Sequence, residues 1–256
     1  MAKIRIKSQR DQTIADLRAE QRHMIGPNMS FAASEAYKLL RTNLLFSFSG
    51  SEKCRIIGVT SSFRGEGKSL TSLNLAYTMA EAGKRVLLIE GDMRLPTLAN
   101  RLALPSKLGL SNLLVGVNDA IQRYTVNVKD GVTVNLDVLV SGDIPPNPSE
   151  LLGSESMQTM LEGMRNHYDY VILDLPPVTA VSDALVASKL VDGMVVVVRS
   201  DHAVRGALAE TIRQLKLVDT HILGFVFNGA SESGGGYYKG KYYYKKYYKS
   251  NYYYKK

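Results

Sequence analysis

The run SSFRGEGKSL at 61–70 places Gly65, Gly67, Lys68 and Ser69 in the spacing that closes a phosphate-binding loop. Glycines let the backbone approach a phosphate closely, and successive N–H groups at the start of a helix favour negative charge there. Lys68 is then placed to reach the β and γ phosphates, and the Ser69 hydroxyl is a ligand for Mg²⁺. The full pattern wants glycine at position 62, where this chain has Ser62. Two acidic runs complement the loop. VLLIEGDMRLP at 86–96 sets Glu90 and Asp92 at the end of one apolar stretch, and YVILDLPP at 170–177 sets Asp174 at the end of another. Singly, such an aspartate reads as a cap. Three acids ending two strands beside a phosphate loop make the set that phosphoryl transfer needs: a cradle, a metal held by hydroxyl and carboxylate, and a group that orients or deprotonates the acceptor.

Those residues have to be held at the carboxyl ends of strands, and the pattern supplies the strands. Short apolar runs at 55–61, 85–90, 136–141, 170–175, 193–198 and 222–227 alternate with helix-like runs at 68–82, 148–165, 182–190 and 205–218. Most of the strands are apolar throughout, as in a parallel sheet covered on both faces. The alternation predicts an α/β domain with a doubly wound, mostly parallel sheet, whose ligands sit beyond the strand ends. Before it, Pro27 to Ser30 reads as the approach to a helix, with Ser34 as its cap. In EAYKLLRTNLLFSF the residues Tyr37, Leu40, Leu44 and Phe48 share one stripe. Glu35, Lys38 and Arg41 occupy a different face, which alone reads as solvated with local ion pairs.

Three regions follow: an arm at 1–30, a domain at 31–230 and a tail at 231–256. The tail is compositionally distinct. YYKGKYYYKKYYKSNYYYKK, at 237–256, holds ten of the fifteen tyrosines and seven lysines. Interleaved ammonium groups cannot be buried without partners, so the tail is expected to be solvated and disordered. It carries +7 of the net charge of +8, leaving about +1 on the other 236 residues. The basic isoelectric point therefore describes the tail, not the fold, and gives little ground for a nucleic-acid partner. Cys54 is the one cysteine, which excludes an intrachain disulfide framework. The polar, basic N-terminus does not read as a secretory signal, and no apolar run approaches the roughly 20 residues that span a bilayer. The four histidines show no metal-ligand spacing. Arg199 and Arg205 flank a strand end and read either as phosphate contacts or, in preference, as solvent-facing. Asn228 ends the last strand and is either a reader of the adenine edge or a strand-end turn.

In order along the chain, the loop at 61–70, the acidic motif at 90–94 and Asp-x-Pro-Pro at 174–177 resemble the bacterial tyrosine kinases of capsule and exopolysaccharide synthesis. EAYKLLRTNLLFS (35–47), GLSNLLVG (109–116), SGDIPPNPSELLGS (141–154) and the tyrosine cluster extend the resemblance over about residues 30–256. It is closest to the Gram-positive form, in which the cytoplasmic kinase and its membrane activator are separate polypeptides. The resemblance implies a P-loop NTPase fold of the MinD/ParA kind and a protein-tyrosine autokinase that uses ATP and Mg²⁺. Gly65, Glu66, Gly67, Lys68, Ser69, Leu70, Arg94 and Asn228 would then bind nucleotide. Lys68, Glu90, Asp92 and Asp174 would be catalytic, and Ser69, Glu90, Asp92 and Asp174 would hold the metal. Tyr237, Tyr238, Tyr242, Tyr243, Tyr244, Tyr247, Tyr248, Tyr252, Tyr253 and Tyr254 would be phosphoacceptors. Glu35, Lys38 and Arg41 would form an oligomerisation motif, with Lys38 where the family has arginine.

Two further departures are Glu90 in place of aspartate and Leu175 in place of a small hydroxyl residue. The implied partners are a transmembrane activator, further copies of the chain in a ring, and a tyrosine phosphatase, with no nucleic acid. The implied location is the inner face of the plasma membrane, reached through the activator. A P-loop ATPase switch without kinase activity is the alternative. Such ATPases carry a lysine early in the loop, where this chain has Phe63 or Arg64.

Overall fold

The computed structural model describes residues 26–48, 54–117, 121–127 and 133–229. Most of the N-terminal arm, and the tail with its ten candidate acceptor tyrosines, lie outside the described residues. The elements are α1 (Phe31–Ser47), β1 (Arg55–Ser61), α2 (Lys68–Glu81), β2 (Val86–Glu90), α3 (Leu98–Leu102), α4 (Leu110–Leu114), β3 (Gln122–Asn127), β4 (Thr133–Leu139), α5 (Pro148–Leu152), α6 (Glu155–Met164), β5 (Tyr170–Asp174), α7 (Asp183–Ala187), β6 (Gly193–Arg199), α8 (Arg205–Leu217) and β7 (Ile222–Asn228).

The seven strands lie in the order β3-β4-β2-β5-β1-β6-β7. Every neighbouring pair is parallel except β3 with β4 at one edge. The central strands alternate as any strand must, yet both faces are apolar. Ile56, Leu87, Ile89, Val171, Leu173, Val196 and Val198 enter one core, beneath α4 to α8. Ile57, Val59, Leu88, Ile172, Val195 and Val197 enter the other, beneath α1 to α3. Covering both faces turns a period-two pattern into an unbroken apolar run. Each such buried aliphatic side chain gains about 1.5–3 kcal/mol on leaving water. Because β5 lies between β1 and β2, the carboxyl ends of all three strands open on one edge, with the turn into α2 above them.

Several sequence expectations are revised. Ser30, not Ser34, caps α1, its hydroxyl accepting from the Ala33 N–H at 3.2 Å. The expected helix at 148–165 breaks at Gly153, and Ser154 caps the second piece by accepting from the Met157 N–H. The strand β3 and the short helices α3 and α4 were not expected. The trio on α1 also divides. Lys38 pairs with Glu35 at 2.9 Å in solvent, whereas Arg41 donates to the Thr78 carbonyl of α2 at 2.7 Å. Arg41 therefore fastens α1 to the helix that opens at the phosphate loop.

Candidate active site

The phosphate loop joins Ser61 at the end of β1 to Lys68 at the start of α2. Gly67 caps the helix with φ of 93°, the left-handed region that disfavours other residues. A Cβ there would lie 2.1 Å from Asn228 Nδ2. That Nδ2 donates to the Glu66 carbonyl at 2.9 Å, and Arg199 donates to the Gly65 carbonyl at 3.2 Å. The Glu66 side chain, 1% exposed, accepts from the Phe63 N–H at 2.8 Å and from the Arg199 N–H at 3.5 Å. Glu66 and Asn228 thus brace the loop from inside, against the ends of β6 and β7. Leu70 lies one helical step beyond Ser69, in the first turn of α2.

Lys68 reaches across the loop to Asp92, Nζ to Oδ2 at 2.8 Å, with little of either side chain exposed. Asp174 ends β5 in register with Glu90 and is wholly buried. One Asp174 oxygen accepts from the Ser72 hydroxyl at 3.2 Å, and the Ser69 hydroxyl also bonds this carboxylate. The other, Oδ2, has no hydrogen-bond partner. Burial raises the Asp174 pKa, with Lys68 opposing it. Burial also pushes the Lys68 ammonium toward neutrality, but Asp174, Asp92 and Glu90 together outweigh that and hold its pKa above the usual lysine value. A charged pocket with one unmatched, buried carboxylate oxygen beside a serine hydroxyl is suited to a hard divalent cation. Among the described residues no three His, Cys, Asp or Glu side chains converge enough to hold a metal by themselves.

Two residues named from the sequence sit differently from the expectation. Glu90 is 1% exposed, and its carboxylate is occupied by backbone. One oxygen accepts from the Thr97 and Leu98 N–H groups, the latter at 2.7 Å, and the other accepts from Ser141 N–H at 3.1 Å. The glutamate thus turns its carboxylate into the backbone that opens α3. Burial still raises its pKa, and those three N–H groups oppose the rise. Arg94 is held by Asp183 at the start of α7, with contacts of 2.9 and 3.1 Å, and Ser149 also donates to Asp183. Asp183 is fully buried and was missed from sequence. In SDALVAS it resembles an ordinary helix-opening acid, and its partner lies 89 positions away.

Lys68, Ser69, Asp92 and Asp174 thus meet on one edge of the sheet, around the glycine loop. A parallel sheet with this loop at its first strand-to-helix turn defines a P-loop nucleotide-binding domain, and residues 54–223 match the AAA domain family. The chain is 37% identical over 208 residues to the tyrosine-protein kinase YwqD of Bacillus subtilis, covering 80% of this chain and 86% of that one. It is 35% identical to the tyrosine-protein kinase CpsD of Streptococcus pneumoniae, covering 77% and 84%. The kinase domain of the Escherichia coli tyrosine kinase ETK superposes with a TM-score of 0.72 at 32% identity, covering 80% and 79%. The chain belongs to the bacterial tyrosine-protein kinases of the CpsD and CapB type.

Proposed function

We propose that this chain is an ATP- and Mg²⁺-dependent autokinase whose acceptors are the tail tyrosines at 237–254, and that it regulates capsule or exopolysaccharide assembly. The observation that carries the reading is the unmatched Asp174 oxygen beside Ser69, Asp92 and Lys68. Gly65, Gly67 and the first turn of α2 would cradle the phosphates of ATP. Ser69, Asp92 and Asp174 would hold Mg²⁺, which when bound supplies positive charge to the phosphate oxygens. Lys68 would exchange its contact with Asp92 for the β and γ phosphates. Asp92, released, would accept the tyrosine hydroxyl proton while the oxygen bonds the γ phosphorus and ADP departs with the bridging oxygen. Glu90 and Arg94 would act by positioning: Glu90 holds the turn at Thr97, and Arg94 ties the Asp92 loop to Asp183. The free Asn228 amide oxygen would accept from the adenine amino group.

Among the described residues no helix is long and apolar enough to cross a membrane. Contact with the membrane would come through a transmembrane activator at its inner face. Self-association would use the exposed side of α1, where Glu35 and Lys38 stand near Phe31, Leu39 and Phe46. A tyrosine phosphatase would reset the tail. The test is incubation of the full chain and an activator fragment with labelled ATP. Label on tyrosine that disappears in Lys68→Met supports the kinase, and phosphate release without labelled protein favours an ATPase switch.

A further inference from the structure

A groove of about 460 Å³ runs beside the phosphate loop, lined by Phe63, Arg64, Ala180, His202 and Val204. Its walls come from three strand ends. Phe63 and Arg64 follow β1. Ala180 follows β5, where the Val178 N–H donates to the Ser61 carbonyl at 2.9 Å and the Thr179 hydroxyl to the Ser62 carbonyl. His202 and Val204 belong to the loop between β6 and α8. Phe63, Ala180 and Val204 offer an apolar floor, and Arg64 and His202 offer N–H donors. Among the described residues no salt bridge or side-chain hydrogen bond engages either donor, and the Asp201 carboxylate, which adjoins His202, is held by Arg199 at 2.7 Å. An apolar slot with two unpaired donors at its rim fits an aromatic ring that ends in a dianion.

We propose that this groove docks phosphotyrosines of the chain's own C-terminal segment, a proposal that rests on the autokinase reading above. The segment leaves from beside the groove. Ser200 in the groove loop donates its N–H to the Asn228 carbonyl at 3.0 Å and its hydroxyl to the Gly229 carbonyl at 2.7 Å. Tyr237 lies eight residues beyond Gly229, a reach of about 26 Å when extended. Every tail tyrosine is therefore long enough in tether to return. Charge selects the modified form. The unmodified tail brings seven lysines toward the Arg64 guanidinium and is repelled. Each phosphate adds about −1.5 to −2, so about four cancel the lysines, and each one also supplies acceptors for Arg64 and His202. The product then occupies space beside the phosphate loop that the next acceptor must cross, and modification slows as it proceeds.

The test uses the dephosphorylated full chain and synthetic fluorescent peptides of residues 241–249, read by polarisation. Three forms are compared: unmodified, phosphorylated on Tyr243 and Tyr247, and phosphorylated on serines at those positions. The phosphotyrosine peptide is expected to bind at least about tenfold more tightly than the other two, because charge-assisted hydrogen bonds and the ring both contribute. His202→Ala and Val204→Ser are expected each to weaken it several-fold, without shifting the melting temperature. Equal binding of the phosphotyrosine and unmodified peptides, or indifference to both substitutions, would overturn the proposal. Equal binding of the phosphoserine peptide, or complete displacement by a non-hydrolysable ATP analogue with Mg²⁺, would also overturn it, since the phosphate would then be held without the groove. Synthetic peptides keep the outcome separate from the kinase reading, which fails only in the labelling experiment.

Discussion

Two ion pairs at opposite edges of the sheet handle charge differently. At the edge where strands begin, Arg165 grips Asp192 with two nitrogens, at 2.9 and 3.2 Å. Asp192 also accepts from the Ile56 N–H at 2.7 Å, and Arg165 also donates to the Cys54 carbonyl at 2.8 Å. At the edge where strands end, Lys68 touches Asp92 through a single contact, and Asp174 keeps an oxygen with no partner. A planar fork that satisfies its carboxylate fixes the start of β1 and β6. A point charge on a flexible stem, beside a buried carboxylate that keeps one unmatched oxygen, is an arrangement that can be exchanged for phosphate and metal. The first edge supplies rigidity, and the second stores electrostatic demand for a ligand.

Substitution at each edge separates the two roles. The largest effect is expected for Lys68→Met, which should lower tyrosine labelling by about 100-fold or more, while Arg165→Met should leave labelling per folded molecule nearly unchanged. Arg165→Met should instead cost about 2 kcal/mol in urea unfolding, because Asp192 loses its partner while it stays partly covered. Labelling lost equally in the two variants would remove the distinction.

Asp174→Asn should also abolish labelling, yet raise the melting temperature by a few degrees, about 1 kcal/mol's worth. The folded state raises this carboxyl's pKa. Its favourable contribution is therefore complete below the unfolded pKa and is lost as pH rises through the folded one. The stability gap between Asp174→Asn and wild type should widen from acid toward neutral pH. Mg²⁺ with nucleotide should raise the wild-type melting temperature and leave that of Asp174→Asn nearly unmoved. A smaller effect is expected for Glu90→Asp, which shortens the reach to Thr97 and Leu98. It should cost about 1–2 kcal/mol on thermal unfolding, without improving labelling. The smallest is Asn228→Ala, with a rise of about three- to tenfold in KM for ATP and little change in kcat.

The parallel sheet was legible because both faces of its central strands are apolar, so Ile56 to Val59 or Val195 to Val198 stand out as runs. The phosphate loop was legible because its chemistry is local, packed into six residues between a strand and a helix. What escaped was long-range or half-polar. QRYTVN forms β3 by pairing antiparallel with β4 across an exposed edge, where Arg123 meets Asp137 at 2.9 Å, and such a strand has no apolar run to announce it. Asp183 finds Arg94, and Arg41 finds Thr78, through the fold alone. Glu90 was readable as an acid at a strand end, but its three backbone donors come from Thr97, Leu98 and Ser141, which no spacing reveals.

The space against Gly67 carries an evolutionary constraint. The two positions that meet there, 67 and 228, stand 161 residues apart in the sequence, yet one methyl group on the first would drive into the amide of the second. Trimming Asn228 would open the space but remove the brace on Glu66, and the positive φ would still penalise any side chain. Alanine at 67 therefore meets two obstacles, the amide and the backbone conformation, and changing 228 relieves only the first. A cycle of single and double substitutions at 67 and 228 should therefore show partial non-additivity, because the steric clash is shared between the positions and the backbone strain is not.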